Sequence, residues 1–440
     1  MDEHESAARS ARPPTGSRGA TAGRGTLWSF RSDRRDANRP RHRRHSLKVL
    51  WVVAACAVIT GGTGLTAVLA RSSGHAGLAG LAASCVAPET EPVSAPADVA
   101  SDSLDGLGFR LSEPGTFGSV AAGPGSSVYA LQACGTEETQ LRVLHVDGND
   151  KVVAASEGFD RAALLTSSLV LQGGVLYVGA ARLDLSGPAI DAPYDLTLYL
   201  LSASNLQVLG SRFLGRGDGL SLSVSDLGRT DAAVLVSTGE KLLALRSGTL
   251  SPRTLATFGP SVAQHLSGDP HAPYAAVSVF APGTPAADAG ATVELIDTVT
   301  ADVVSSARLP DGSQVESLAF GDDRLFVAVG DDASTQVRRF GIPALVSSGS
   351  PASERGLPTG LPTTLQTIAL DATGTAVWAM GISMMACLDP STGRVLASAA
   401  SSSWSASPSA VIAAGPTTYV VTSSGIGQLA SPVACGFGGA

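Results

Sequence analysis

The sequence predicts an all-β, repeat-built domain over residues 105–440, and three observations predict it. With Gly 50, Pro 25 and only 15% charged residues, the composition is rich in turn formers, which suits strands better than helices. Short apolar runs with β-branched and aromatic residues alternate with Gly, Asp and Asn turns, without the long amphipathic stretches that βαβ units need. One apolar triplet recurs along the chain: Val128-Tyr129-Ala130, Leu176-Tyr177-Val178, Val234-Leu235-Val236, Ala276-Val277-Ser278, Leu325-Phe326-Val327, Val377-Trp378-Ala379 and Tyr419-Val420-Val421.

From Tyr129 to Val420 the six steps between triplets average about 48.5 residues, the size of one four-stranded propeller blade. Each triplet follows a shorter strand and a turn, as in Leu169-Val170-Leu171-Gln172-Gly173-Gly174. A third strand ends in an apolar pair and Asp, as in Leu295-Ile296-Asp297 and Cys387-Leu388-Asp389, and a fourth follows a turn, as in Arg394-Val395-Leu396-Ala397. Four strands in each of seven repeats give a seven-bladed β-propeller. The last repeat is short after Ile426-Gly427-Gln428-Leu429, so the segment around Gly108-Phe109-Arg110-Leu111 is expected to supply its outer strand and close the ring.

The run Cys387-Leu388-Asp389-Pro390-Ser391-Thr392-Gly393-Arg394-Val395 resembles the strand, Asp-x-x-Thr-Gly turn and strand unit of PQQ-like and YVTN-type propeller repeats. As architecture the resemblance extends over residues 105–440, but only the sixth repeat carries the turn motif cleanly, and repeats two to five have drifted from it. What it implies is a fold and not an activity, because propellers host many unrelated functions. The quinoprotein dehydrogenases that share such repeats carry a Trp motif in most blades and a cofactor site with a bound cation. Here the ring holds Trp378 and Trp404, and Trp378 takes a strand position that Tyr or Phe fills in other repeats, as core packing places it. No cofactor is expected, and no redox turnover with added PQQ.

Ahead of the ring the chain changes character. Residues 1–47 contain many Arg, Pro, Gly and Ser with few apolar residues, and are expected to be disordered. Residues 48–70 hold the uncharged run Val49–Ala70, long enough as a helix to cross a bilayer. Arg41, Arg43, Arg44 and Lys48 crowd its N-terminal side while Arg71 alone follows closely, so the positive-inside bias puts the tail in the cytoplasm and the propeller outside the plasma membrane. A cleaved export signal is the rival reading, since Arg43-Arg44-His45-Ser46-Leu47-Lys48 partly resembles a twin-arginine motif. Residues 71–104, rich in Ala, Pro and Ser, read as a linker. The formal net charge of −8 divides as +7 up to Lys48 and −15 beyond it. A domain so acidic is not expected to bind nucleic acid.

No residue pattern specifies a reaction. His265 and His271 flank Asp269, but the spacing matches no common ligand frame. Asp322-Asp323 and Asp331-Asp332 fall in turns, where solvated carboxylates are ordinary. No catalytic, cofactor or metal residues are therefore assigned. The reading is a membrane-anchored, extracytoplasmic module that binds or scaffolds an envelope protein, peptide or glycan. The alternative is a hydrolase or lyase using carboxylates of the central funnel, and a sensor that signals to the tail is a third. Converging carboxylates and a His in the channel would favour an enzyme, whereas an apolar or aromatic patch would favour a binder.

Cys56 lies in the apolar run; Cys85, Cys134, Cys387 and Cys435 lie beyond it, an even number that suits two disulfides in an oxidising compartment. Cys85 with Cys134 and Cys387 with Cys435 would tie each terminal segment to the blade beside it. Cys85 with Cys435 and Cys134 with Cys387 would lock the ring across its seam. The first pairing is expected, because it pins ends that would otherwise fray, although spacing alone does not fix the connectivity.

Overall fold

A computed structural model of the chain describes residues 110–429, apart from several loops and turns between strands. The tail, the apolar run, the linker and residues 430–440, with Trp404, Cys85 and Cys435, lie outside the described residues. Among the described residues no helix is long and apolar enough to cross a membrane.

The strands fall into seven sheets. β1 (Arg110–Pro114) comes first and belongs to the last of them. Blade one contains β2 (Phe117–Ala122), β3 (Val128–Cys134), β4 (Gln140–Val146) and β5 (Val152–Ala155), with β6 (Phe159–Arg161) also pairing with β4. Blade two contains β7 (Ser168–Gln172), β8 (Val175–Leu183), β9 (Tyr194–Ser202) and β10 (Val208–Gly217); blade three contains β11 (Ser221–Asp226), β12 (Ala232–Ser237), β13 (Lys241–Arg246) and β14 (Arg253–Thr257). Blade four contains β15 (Val262–Gly268), β16 (Tyr274–Phe280), β17 (Thr292–Asp297) and β18 (Val303–Arg308). Blade five has β19 (Gln314–Phe320), β20 (Arg324–Gly330) and β21 (Thr335–Gly341), three strands among the described residues where the repeat predicts four. Blade six contains β22 (Leu365–Leu370), β23 (Val377–Gly381), β24 (Met384–Leu388) and β25 (Val395–Ala400). Blade seven joins β26 (Pro408–Ala414), β27 (Thr417–Thr422) and β28 (Gly425–Leu429) to β1.

All seven predicted triplets lie on the second strands of their blades. Closure also takes the expected form, with Arg110 opposite Gln428 and Pro114 opposite Gly425. The seven first strands touch their neighbours in a closed cycle that returns from β26 to β2. A core of this size does not form one apolar mass, since single cores stop growing near roughly 250–300 residues. It forms seven clusters, one at each junction between consecutive blades. The triplets supply their centres: Tyr177, Phe326 and Tyr419 are among the largest fully buried side chains.

The turns between third and fourth strands explain what the drifted repeats kept. In blade six the Asp389 carboxylate accepts from the Ser391 and Thr392 amides at 2.7 and 3.0 Å, and the Gly393 amide bonds to the Asp389 carbonyl at 2.8 Å. The bonds to Ser391, its side chain first, hold the Asp389 carboxyl below its ordinary range. Blade four repeats this with Asp297 accepting from Val299 and Thr300 at 2.8 and 2.9 Å, and Ala301 donating to the Asp297 carbonyl at 2.8 Å. Blade two closes the same backbone ring from Leu206 to Ser202, also at 2.8 Å. Gly393 has φ +72°, and Ala301 and Leu206 hold the same left-handed region at +70° and +57°. The turn persists without its glycine, at a cost of about 1 kcal/mol for each residue carrying a Cβ. Ala301→Gly is therefore expected to raise stability by about 0.5–1 kcal/mol, read as a higher thermal midpoint; an unchanged or lower midpoint would contradict the strain.

Candidate functional site

The first strands surround the central channel, and short polar residues on them seal one blade to the next. The Ser119 hydroxyl accepts from the Leu169 amide at 3.0 Å, Ser168 from Leu222 at 3.2 Å, Ser223 from Gly268 at 2.7 Å and Ser317 from Ile368 at 3.2 Å. Gly268 permits its approach, because a Cβ there would lie 2.2 Å from the Val224 carbonyl oxygen. Between blades four and five His265 takes the place of serine, bonding to the Val315 backbone. Burial among the inner strands pushes this imidazole down to about 4, so it is neutral at physiological pH.

Farther out, donors from one blade grip the turns of the next. The Tyr129 hydroxyl donates to the Ala203 carbonyl at 3.0 Å, and the Tyr177 hydroxyl to that of Arg246 at 3.2 Å. The Tyr419 hydroxyl donates to the Ser126 carbonyl at 2.7 Å. Arg253 reaches the Thr298 and Val299 carbonyls at 2.5 and 3.0 Å, and Arg339 those of Pro390 and Ser391 at 3.2 and 2.8 Å. These part-buried and exposed bonds tie each blade to a turn of the next.

Of the residues weighed in the sequence, Asp269 and His271 share one turn and the others stand apart. His145 stacks on Tyr129 with ring centroids 4.4 Å apart, and burial lowers its pKa. His265 belongs to the channel seal. Asp269 is buried in the turn after β15, its Oδ1 accepting from the His271 and Ala272 amides at 2.8 and 3.1 Å. Burial pushes its carboxyl up. Among the described residues no group of three or more His, Cys, Asp or Glu could hold a metal. Asp323 is exposed and paired with Arg324 at 3.2 Å, and Asp322, Asp331 and Asp332 lie outside the described residues. Carboxylates on the first strands are Asp226 in blade three and Glu316 in blade five, with blade four between them. Burial raises the Glu316 carboxyl. Trp378 packs in the cluster between blades six and seven, with Met380, Met385 and Val420.

Cys387 lies in that same cluster, fully buried on β24, and is disulfide-bonded. Its partner is not among the described side chains. Cys134 ends β3, and its side chain is likewise outside the described residues.

What sequence reasoning missed lies on the perimeter: Val208, Leu209 and Phe213 of β10 are 48%, 58% and 60% exposed. The signal was present in Val208-Leu209-Gly210-Ser211-Arg212-Phe213-Leu214, whose apolar residues fit neither a strict period of two nor a fully buried run.

No protein-family model matches the sequence, and no curated protein matches it. Solved structures do match. The Cps50 (Swd1) β-propeller domain of Myceliophteria thermophila has a TM-score of 0.53 at 12% identity, over 73% of this chain and 99% of that one. The likeness is one of fold. BamB from Moraxella catarrhalis follows with 0.42 at 12% identity, over 72% and 85%. Sqt1 of Chaetomium thermophilum, solved bound to the N-terminus of ribosomal protein L10, gives 0.47 at 12%, over 74% and 100%. The propeller architecture thus stands on its own sheet topology and on the first of these likenesses; neither selects the PQQ-like type of repeat.

Proposed function

We propose that the chain is a membrane-anchored binding or scaffolding module of the cell envelope, which holds its propeller outside the membrane and presents it to a partner there. The observation that supports the binding reading is the exposure of Val208, Leu209 and Phe213 within six residues of one outer strand on an otherwise acidic domain, because apolar residues exposed close together mark interaction sites where single ones do not. Asp226 stands a whole blade from Glu316, and its neighbour Asp269 is tied by the His271 and Ala272 amides into its own turn, which gives no support to paired-carboxylate catalysis in the channel. Anchoring rests on the uncharged run Val49–Ala70 and the twelve basic residues before it.

Two experiments test this reading. Purification of the full chain from its native membrane should bring the same envelope protein in every preparation, and repeated recovery of the chain alone would refute it. Protease added to intact spheroplasts should remove the propeller and spare the tail; digestion of the tail would reverse the topology.

Extracytoplasmic placement also bears on the cysteines. A disulfide needs Cα atoms within about 7 Å, and blade seven stands between Cys387 in blade six and Cys134 in blade one. Leu429, six residues before Cys435, packs in the same cluster as Cys387. We therefore pair Cys387 with Cys435 and leave Cys134 to Cys85. Non-reducing peptide mapping should recover Cys387 and Cys435 in one linked peptide; a Cys134–Cys387 peptide would refute the pairing.

A further inference from the structure

Five of the seven inner strands carry one residue more than the second strand they pair with, a bulge that shifts the register. β7 and β11 run without one. Bulges re-aim side chains and gather beside functional sites. In blades four, five and six the extra residues are Gln264, Glu316 and Gln366. Each stands two or three residues before the partner of its triplet centre, so three consecutive blades carry them at one level of the channel. In blades one and seven the bulge is used otherwise: Ser119 seals blade one to blade two, and Ser409 donates to the Val421 carbonyl of its own blade at 3.4 Å. Bonds between blades draw the first three together. The His265 ring, next to Gln264, bonds to the backbone of Val315, next to Glu316. The Leu365 amide, next to Gln366, donates to the Thr335 hydroxyl at 3.0 Å, and Thr335 stands opposite Gly330. The Glu316 carboxylate lies over that glycine, where a Cβ would come 2.8 Å from its Oε1. β15, β19 and β22 pack on one another in turn. Gln264 and Gln366 are nevertheless exposed and Glu316 half-buried, so the open side they face is the channel. Burial raises the Glu316 carboxyl with no cation to pull it back, and none of the seven inner strands carries Lys or Arg.

We propose that Gln264, Glu316 and Gln366 form a receptor for a primary ammonium group, at the end of the channel where the inner strands begin. An ammonium has three N–H donors and one charge, and the three side chains offer one carboxylate between two amide oxygens. A guanidinium brings five donors in a plane, and a sugar brings no charge to set against the carboxylate. His265 beside the site is neutral at physiological pH and does not compete with the ligand. The charge of −15 beyond Lys48 draws cations to the domain. A lysine side chain of a peptide and a free amine both present the required group. The site lies apart from the exposed residues of β10, and the proposal does not depend on them.

The test titrates the full chain in detergent micelles, by calorimetry at neutral pH, with n-propylamine, n-propanol and an end-blocked pentapeptide bearing one central lysine. The amine and the peptide should bind, and n-propanol should not. Glu316→Gln should weaken both ligands about tenfold. Gly330→Ala should do the same, because the added methyl pushes the carboxylate aside while its charge remains. Neither variant should lower the thermal midpoint, since one removes a half-buried charge and the other displaces only the end of a flexible side chain. Acetylation of the peptide's lysine changes the ligand and leaves the chain untouched, and it should abolish binding. A peptide at least about tenfold tighter than n-propylamine assigns the ammonium to a peptide side chain, and equal affinities assign it to a free amine; either result upholds the site. Recovery of an envelope partner from the membrane judges the binding module separately. Silence of both amine probes, equal binding of the acetylated peptide, or an affinity unchanged in either variant overturns the proposal. So does a neutral disaccharide that binds as tightly to the Glu316→Gln chain as to the unsubstituted one, which would make this rim a sugar site.

Discussion

Replacing Arg142 by alanine is expected to lower the stability of the ring by about 3 kcal/mol, read as a lower denaturant midpoint of the chain. Arg142 lies on β4 and is 7% exposed, beside Gln132 at 5%. Its Nε donates to the Gln132 Oε1 at 2.6 Å. It also acts on Glu113 of β1: burial pushes the Glu113 carboxyl up, and the Arg142 charge pulls it back. The guanidinium thus serves blade one and the closing strand of blade seven together. Without it a buried amide oxygen and a half-buried carboxyl lose their counterpart across the seam. Adding Glu113→Gln to the alanine variant should restore part of the loss, because the stranded charge is then gone. A loss below about 1 kcal/mol, the worth of an ordinary hydrogen bond, would show that the seam does not depend on Arg142.

Acidification should weaken the fold through His265. Burial holds this imidazole at about 4 in the ring, against about 6.5 in an unfolded chain. Its contribution is complete above pH 6.5 and is lost as pH falls toward 4, by at most about 3 kcal/mol. His145, also lowered by burial, acts in the same sense. Four carboxyls oppose them: burial raises Glu113, Glu294, Glu316 and Asp269, so their protonation on acidification favours the folded state. His265→Gln isolates the imidazole. Thermal midpoints of the two chains should converge as pH drops from 6.5 to 4, and parallel curves would remove His265 as the cause.

The parts of this fold legible in the sequence were those that repeat in residue type. The triplets gave the second strands and the blade count because each must fill a junction between two blades, and only apolar residues do so. Closure through Arg110 and Leu111 was legible because a short last repeat leaves an edge that something must cover. Less legible were contacts made by backbone. The turns at Leu206 and Ala301 keep the geometry of the Gly393 turn, although neither residue announces a left-handed position. Ser119, Ser168, Ser223 and Ser317 seal neighbouring blades, yet in sequence they are four serines among many. The fourth strand expected in blade five is not among its described strands, and residues 347–364, where the repeat places it, lie outside the described residues. The exposure of Val208, Leu209 and Phe213 on β10 was unread because a register broken by two bulges is a property of pairing and not of composition.

The pairing of β1 with β28 sets the order of events while the protein is made. Arg110 must wait for Gln428, about 320 residues later, so β1, the earliest of the described strands, is among the last to find its place. Until then the ring can be built blade by blade but not shut, and the seven junctions are an open series with two unfinished ends. Local pairings come early and the long closure late, because its loop entropy is met only once the other blades stand. A chain stopped before Gly425 would lose the partner of β1 as surely as β28 itself. Only a chain extended past Leu429 can lock β1 in place.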